Sequence, residues 1–180
     1  FLFWMLNSEN MNKYTFYKFI QQYHERDSRN EIRPTPELKG NIIGVLDGQQ
    51  RLSSMYIALQ GTYAYKKKYV SKKTDSAYPK RRLYLNLMYD GANEEDYLYE
   101  FKFLTADEAK TTDATHLWFD VRKVLEWGTD PDVDDYYDAL IDNAKYTPDI
   151  IDKFKNKDVK NQIKKNLRVL HQRIAQEELI

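Results

Sequence analysis

Cysteine is absent from this 180-residue chain, which excludes disulfides, thiolate zinc sites and cysteine nucleophiles together. The absence is compatible with a reducing cytoplasm, the compartment in which the chain is expected to act. Net charge is missing as well, because 28 lysines and arginines balance 28 aspartates and glutamates. A domain that coats nucleic acid through its overall field carries a marked basic excess, so any such contact here must come from a local patch. No run approaches the roughly 20 apolar residues of a membrane-spanning helix, and no membrane partner is expected. Only three histidines occur, His24, His116 and His171, far apart and without ligand spacing, so each reads as a packing or surface residue.

What is abundant is tyrosine, 15 residues against 8 phenylalanines, a choice that suits half-buried positions with a polar tip in water. At 42% hydrophobic and 31% charged, the chain can bury a core and stay soluble. Its length fits one domain, or one domain with an appended helical part. The opening "FLFWML" has no initiator methionine and no basic stretch before it, and the closing "AQEELI" has no helix-stop signal. Both ends read as cuts in a longer protein, with the first six residues docking on the core.

Periodicity divides the chain into a strand-rich part and a helix-rich part. Residues 13–23, "KYTFYKFIQQY", carry Phe16, Phe19, Ile20 and Tyr23 at helical spacing, although a strand start also fits; helix is the expectation. Residues 25–40 are charged and proline-containing, and read as a loop. "NIIGVLD" predicts a buried strand, and Leu52, Met55, Tyr56, Leu59 and Tyr63 then predict an amphipathic helix of about four turns. "RLYLNLMYD" and "YEFKFLT" alternate as strands and are expected to pair as a hairpin across an acidic connection. "HLWFDVRKVLEW" reads as a short strand passing into a helix. "DPDVDDYYD" lacks the central glycine and final glutamate of a calcium loop; it reads as a helix start whose Asp134 and Asp135 complement the dipole. From about 149 onward the pattern is helical with a break near Asn156. Val159, Ile163, Leu167, Leu170 and Ile174 form a stripe that serves the core, part of which could support self-association as a homo-oligomer. The fold class expected is α+β: residues 1–130 form a small mixed sheet with helices, and residues 131–180 form a helical extension packed on it.

The joint at residues 45–59, "VLDGQQRLSSMYIAL", concentrates the chemistry. If the strand ends at Leu46, Asp47 is the natural N-cap, accepting from the N–H groups of Gln49 and Gln50. Gly48 lets the backbone turn or a ligand approach closely. Arg51 and Ser54 share a helix face. A helix start with free N–H groups, a glycine and an arginine suits a phosphate, yet a capping aspartate would compete for the same donors. A divalent cation between Asp47 and the phosphates would resolve the conflict; otherwise Asp47 caps the helix or pairs with Arg51. A capped helix start with a surface ion pair is the plain reading of the residues.

The same string closely resembles the signature of the DGQQR family, the large N-terminal domain of GmrSD-type, modification-dependent (type IV) restriction enzymes, with related domains in other phage-defence proteins. Asp47, Gly48, Gln49, Gln50, Arg51, Ser53 and Ser54 match its pattern position by position, and "FLFWML" resembles the family's upstream apolar segment. The resemblance implies a ParB/sulfiredoxin-like α+β fold with appended helices, and nucleoside-triphosphate binding or hydrolysis with Mg that regulates DNA cleavage. It assigns Asp47, Gln50 and Arg51 to catalysis, and Asp47, Gly48, Gln49, Gln50, Arg51 and Ser54 to the nucleotide, with Asp47 as the Mg ligand. Gln49 or Gln50 would orient the attacking water or bind the base. The nuclease would be a separate His-Asn-His-type domain or subunit, so this chain is not expected to cut DNA alone. The family's proline- and arginine-containing segment before the apolar one, and its asparagine-glycine-glycine segment after the motif, are not found in this sequence. The alternative is a DNA-binding or protein-interaction module in which the motif is architectural.

One further stretch bears on DNA. Residues 65–82 carry eight basic residues against one acid and read mostly as a flexible excursion. Lys66, Lys67, Lys68, Lys72, Lys73, Lys80, Arg81 and Arg82 are interleaved with Tyr65, Tyr69 and Tyr78, a combination suited to phosphate contact and base stacking.

Overall fold

The computed structural model describes residues 1–7, 13–28, 31–34, 40–91, 97–113, 115–142 and 145–176. The proline-containing part of the expected loop (35–39), residues 29–30, the acidic connection at 92–96 and the chain end at 177–180 lie outside the described residues. The chain mixes helices and strands and divides into two compact units, Phe1–Lys80 and Arg81–Ile180. The expected helical extension from residue 131 falls within the second unit, alongside strands.

In the first unit, β1 (Leu2–Leu6) and β5 (Ile42–Asp47) form an antiparallel ribbon, with Phe3 opposite Val45, Met5 opposite Ile43, and a bulge between Leu2 and Phe3. The ribbon is not the buried strand that its composition suggests. Of the opening apolar residues only Leu6 is fully buried, while Phe1, Leu2, Phe3 and Met5, like Ile43 and Leu46 across from them, are exposed. Residues 13–23 are not a helix either. They supply β2 (Phe16–Tyr17), antiparallel to β4 (Ile32–Arg33), and β3 (Gln22–His24), parallel to β6 (Thr62–Ala64). The apolar residues that mimic a helical stripe are used instead for aromatic contacts: Phe19 meets Tyr56 edge-on at 5.4 Å, and Tyr23 stacks on Tyr63 at 5.0 Å. These cross-element contacts outweigh a local preference that is weak in so aromatic a segment.

Helix α1 (Gln49–Leu59) runs three turns rather than four and buries only Ile57 completely. It stops where Gly61 passes so close to the backbone of Gln21 that an added Cβ would lie 2.2 Å from its carbonyl oxygen. Only glycine permits that approach, which sets β6 beside β3.

The second unit opens within β7 (Lys80–Asn86), at Arg81, and there β7 is flanked by antiparallel β8 (Phe101–Leu104) and β9 (Trp118–Asp120). The expected hairpin is therefore present, with Leu83 opposite Phe103. β9 passes into a 3-10 helix (Val121–Glu126) started by the Asp120 carboxylate, which accepts from Arg122 N–H. Three helices follow: α2 (Val133–Ile141), α3 (Pro148–Lys155) and α4 (Lys157–His171), the last continuing into a π-helical turn (Gln172–Gln176). The break near Asn156 is real and is itself a cap, because its side chain accepts from the N–H groups of Asp158 and Val159. Ile163 and Leu167 of the stripe are fully buried with Phe154, Phe119, Leu85 and Leu87, and Leu170 nearly so. The middle of the stripe is spent in the core, while Val159 and Ile174 at its ends are half-buried.

Two buried asparagines tie sheet to loops and helix. Asn86 donates to Glu100 Oε2 at 2.8 Å and to Thr115 O at 3.0 Å, and its Oδ1 accepts from the N–H groups of Met88 and Leu117. Asn166 of α4 donates to the carbonyls of Leu87 and Tyr89. Each amide is fully used, which is what makes its burial tolerable. Asn86→Leu removes four bonds at once and leaves buried backbone groups unpaired. It is expected to lower unfolding free energy by about 3 kcal/mol, read by urea denaturation; a loss under about 1 kcal/mol would show that water replaces those bonds.

Candidate functional site

The string Asp47–Arg51 sits at the joint between β5 and α1, and the geometry there differs from a simple cap. β5 extends through Asp47, so the residue at the N-cap is Gly48, in the left-handed conformation at φ 81°, and among the described residues no side chain caps the helix. A Cβ at Gly48 would meet the Phe1 ring at 2.7 Å and the Arg51 guanidinium at 3.2 Å. Positive φ and this crowding both select glycine. The expectation that Asp47 caps α1 is corrected by one residue of strand: at the last position of β5 its carboxylate is carried past the helix end and pairs with Arg51 Nη2 at 3.2 Å, one turn along.

Arg51 also lies over the Phe1 ring, 5.4 Å from its centroid. Its aromatic neighbour could not be found from local pattern, because Phe1 reaches the motif only through the β1–β5 pairing. The side chains of Asp47 and Arg51 remain 73% and 66% exposed, so the pair is a surface ion pair of small energy and can be opened by a ligand. The two glutamines are not equivalent. Gln49 donates its side-chain amide to Val45 O at 2.9 Å, tying the helix start back to the strand. Gln50 is exposed, with no side-chain hydrogen bond among the described residues. Ser53 is half-buried and Ser54 exposed, the latter one turn beyond Arg51. The joint thus brings Asp47, Gly48, Gln50, Arg51 and Ser54 together on an open surface, with Gln49 committed to the backbone.

The basic stretch is ordered differently from its appearance. Lys67, Lys68, Lys72 and Lys73 are exposed and Lys66 is half-buried, but Arg81 is only 5% exposed. Arg82 lies 3.7 Å from the Asp120 carboxylate within the second unit. Arg81 therefore does not belong to an exposed basic surface, and Tyr78 is buried with Ala64 and Ala77.

Each histidine has partners within the fold. His24 lies 3.4 Å from Asp27 and packs on Tyr78. His116 is held by Asp113 at 3.0 Å and stacks on Trp118. Asp113 also accepts from the N–H groups of Thr115 and His116, and the Thr115 N–H leads the donors that hold its carboxyl well below the usual carboxylate range. His171 is buried and donates Nε2–H to Gly128 O at 2.8 Å, which fixes its tautomer. Among the described residues no group of three His, Asp or Glu side chains is placed to hold a metal ion, and no helix is long and apolar enough to cross a membrane.

Two clefts lie elsewhere. One of about 520 Å³ in the second unit is lined by Asp130, Asp132, Asp134, Arg168 and His171. Its polar groups already serve the fold: Asp132 caps α2, Asp134 pairs with Lys164, and His171 holds Gly128. Another, of about 320 Å³, lies by Trp4, Leu6 and Asn41, at the end of the ribbon away from Asp47. Neither cleft includes a residue of the motif.

The capping assignments can be separated by stability. Asp132→Ala and Asn156→Ala are each expected to cost about 1 kcal/mol in urea denaturation, whereas Asp47→Ala should change stability by less than about 0.5 kcal/mol. A loss at Asp47 equal to those two would mean that its carboxylate caps α1 after all.

A scan against protein-family models finds no match to this chain, and a search of the curated proteins finds no match either.

Proposed function

We propose that the chain is a nucleotide-binding, triphosphate-hydrolysing regulatory domain of a DNA restriction protein of the DGQQR type, with a ParB/sulfiredoxin-like arrangement in its motif-bearing part. The observation that carries this reading is the open helix start. With no side chain of the described residues bonded to its first N–H groups and Asp47 paired with Arg51, α1 offers the positive end of its dipole to an anion. The conflict between a capping carboxylate and a phosphate, which the residues alone pose, does not arise in this geometry.

In this reading the phosphates take the N–H groups at the start of α1, and Gly48 allows their close approach. Arg51 exchanges its bond to Asp47 for a charge-assisted pair with a phosphate oxygen. Asp47, released, is the carboxylate able to hold Mg, an ion that commonly takes one or two carboxylates and completes its shell with phosphate and water. The 73% exposure of the Asp47 side chain leaves room for such a shell. When bound, Mg would supply charge neutralisation between the phosphates. Gln50, unlike Gln49, has an amide available to orient water or contact the base. The cutting of DNA is assigned to a His-Asn-His-type nuclease domain or subunit, and this chain regulates it in the cytoplasm.

Calorimetric titration of ATP and GTP with Mg into the native chain and Arg51→Ala tests the site. Arg51→Ala is expected to weaken binding at least about tenfold, the worth of one charge-assisted bond. Equal affinity in the two proteins, or no binding by the native chain, would overturn the proposal.

A further inference from the structure

The lysine-rich loop of the first unit is not the mobile excursion that its composition suggests. It is pinned at both ends and in the middle. Lys66 N–H donates to Glu25 Oε2 at 2.7 Å, and Lys67 N–H donates to Ala77 O at 2.8 Å. Val70 packs against the small core of Ala64, Ala77 and Tyr78. Arg26, from the turn after β3, donates to Lys73 O at 2.7 Å and to Asp75 Oδ1 at 2.7 Å.

These anchors have an electrostatic result. Asp75 is the single acid of residues 65–82, and Arg26 already occupies it. The ammonium groups of Lys67, Lys68, Lys72 and Lys73 carry no ion pair among the described residues, and all four side chains are exposed. A chain that is neutral overall thus holds four uncompensated cations on a fixed loop.

An aromatic side chain stands among them. Tyr69 is fully exposed and sits at φ 64°, the one non-glycine residue with positive φ among the described residues. That conformation disfavours a residue with a Cβ, and Gly or Asn would occupy it more cheaply. The ring recovers none of this by burial. Tyr65, at the head of the loop, is also exposed and leans on Tyr63 at 5.7 Å. Strain that holds a bare aromatic ring among unpaired lysines points outward, to a partner with both negative charge and flat faces.

We propose that the loop at residues 65–73 binds single-stranded nucleic acid, its phosphates on Lys67, Lys68, Lys72 and Lys73 and a base stacked on Tyr69. Single strands offer both features at once, since their bases are free to stack on aromatic side chains while the backbone follows the positive charge. A duplex presents its phosphates but hides its base faces. This surface is distinct from the joint at Asp47 and stands without it.

Fluorescence anisotropy of labelled dT15 and rU15 oligomers with the whole chain, across 50–200 mM salt, tests the proposal. Four phosphate contacts predict a plot of log affinity against log salt with a slope of about −2.8. Lys72→Gln/Lys73→Gln should bring the slope to about −1.4. Tyr69→Ala, at an exposed position, should keep its melting temperature and weaken binding roughly tenfold. Preference for dT15 over rU15, or the reverse, would identify the sugar that the loop reads. No binding at 50 mM salt, or duplex bound as tightly as single strand, would overturn the proposal. So would equal binding of Tyr69→Ala and the native chain to dT15. Anionic phosphatidylserine vesicles competing as well as dT15, with Tyr69→Ala unaffected, would show a general anion surface and also overturn it.

Discussion

The pairing of Asp47 with Arg51 decides what the start of α1 can do. A carboxylate on the helix N-terminus would satisfy its donors and neutralise the dipole locally. One turn away on the arginine, it leaves those donors open and holds the cation beside them. Gly48 makes the arrangement possible: its left-handed turn joins a strand that runs through Asp47 to a helix that begins at Gln49. Phe1 closes the other side of that turn, so the joint depends on the β1–β5 ribbon as well as on the motif. The ion pair itself is weak because it is exposed. That weakness suits a site in which a phosphate takes over the arginine and a cation the carboxylate.

Much of the second unit was legible in the sequence because its signals are local. Alternation in residues 80–86 and 101–104 specified a hairpin, acids after Pro131 marked the start of α2, and Asn156 announced the break between α3 and α4. The stripe read as mostly core, and Ile163, Leu167 and Leu170 of α4 are buried. The first unit was less legible for a stated physical reason. Its strands are two to six residues long, and β3 finds its partner β6 some forty residues away. In so short and aromatic a stretch as 13–23, helical and extended spacing look alike, and the choice is made by Tyr56 and Tyr63, which periodicity does not see.

The joint shows how finely the sequence must be read. Strand, turn and helix were all placed, and the pairing of Asp47 with Arg51 was one of the alternatives that the residues left open. A strand longer by one residue nevertheless moved the cap from Asp47 to Gly48 and altered the chemistry. Similarly, composition marked residues 65–82 as basic and aromatic without revealing their division. Arg81 and Tyr78 are buried, Arg82 approaches Asp120, and the loop that carries Lys66 to Lys73 is anchored by Glu25 and Arg26, some forty residues earlier. Charge counts locate such a patch; only long-range hydrogen bonds tell whether it is presented or left to move.

The central claim is that α1 begins as an open anion seat beside a displaceable Asp47–Arg51 pair. Its most direct measurement is the set of backbone amide chemical shifts of the ¹⁵N-labelled chain as pyrophosphate is added, first without and then with Mg. The account predicts shifts concentrated at residues 48–52 and at the Arg51 side chain, deepening when Mg is present. Amides at residues 48–52 that stay unmoved while others respond, or no response anywhere, would contradict it.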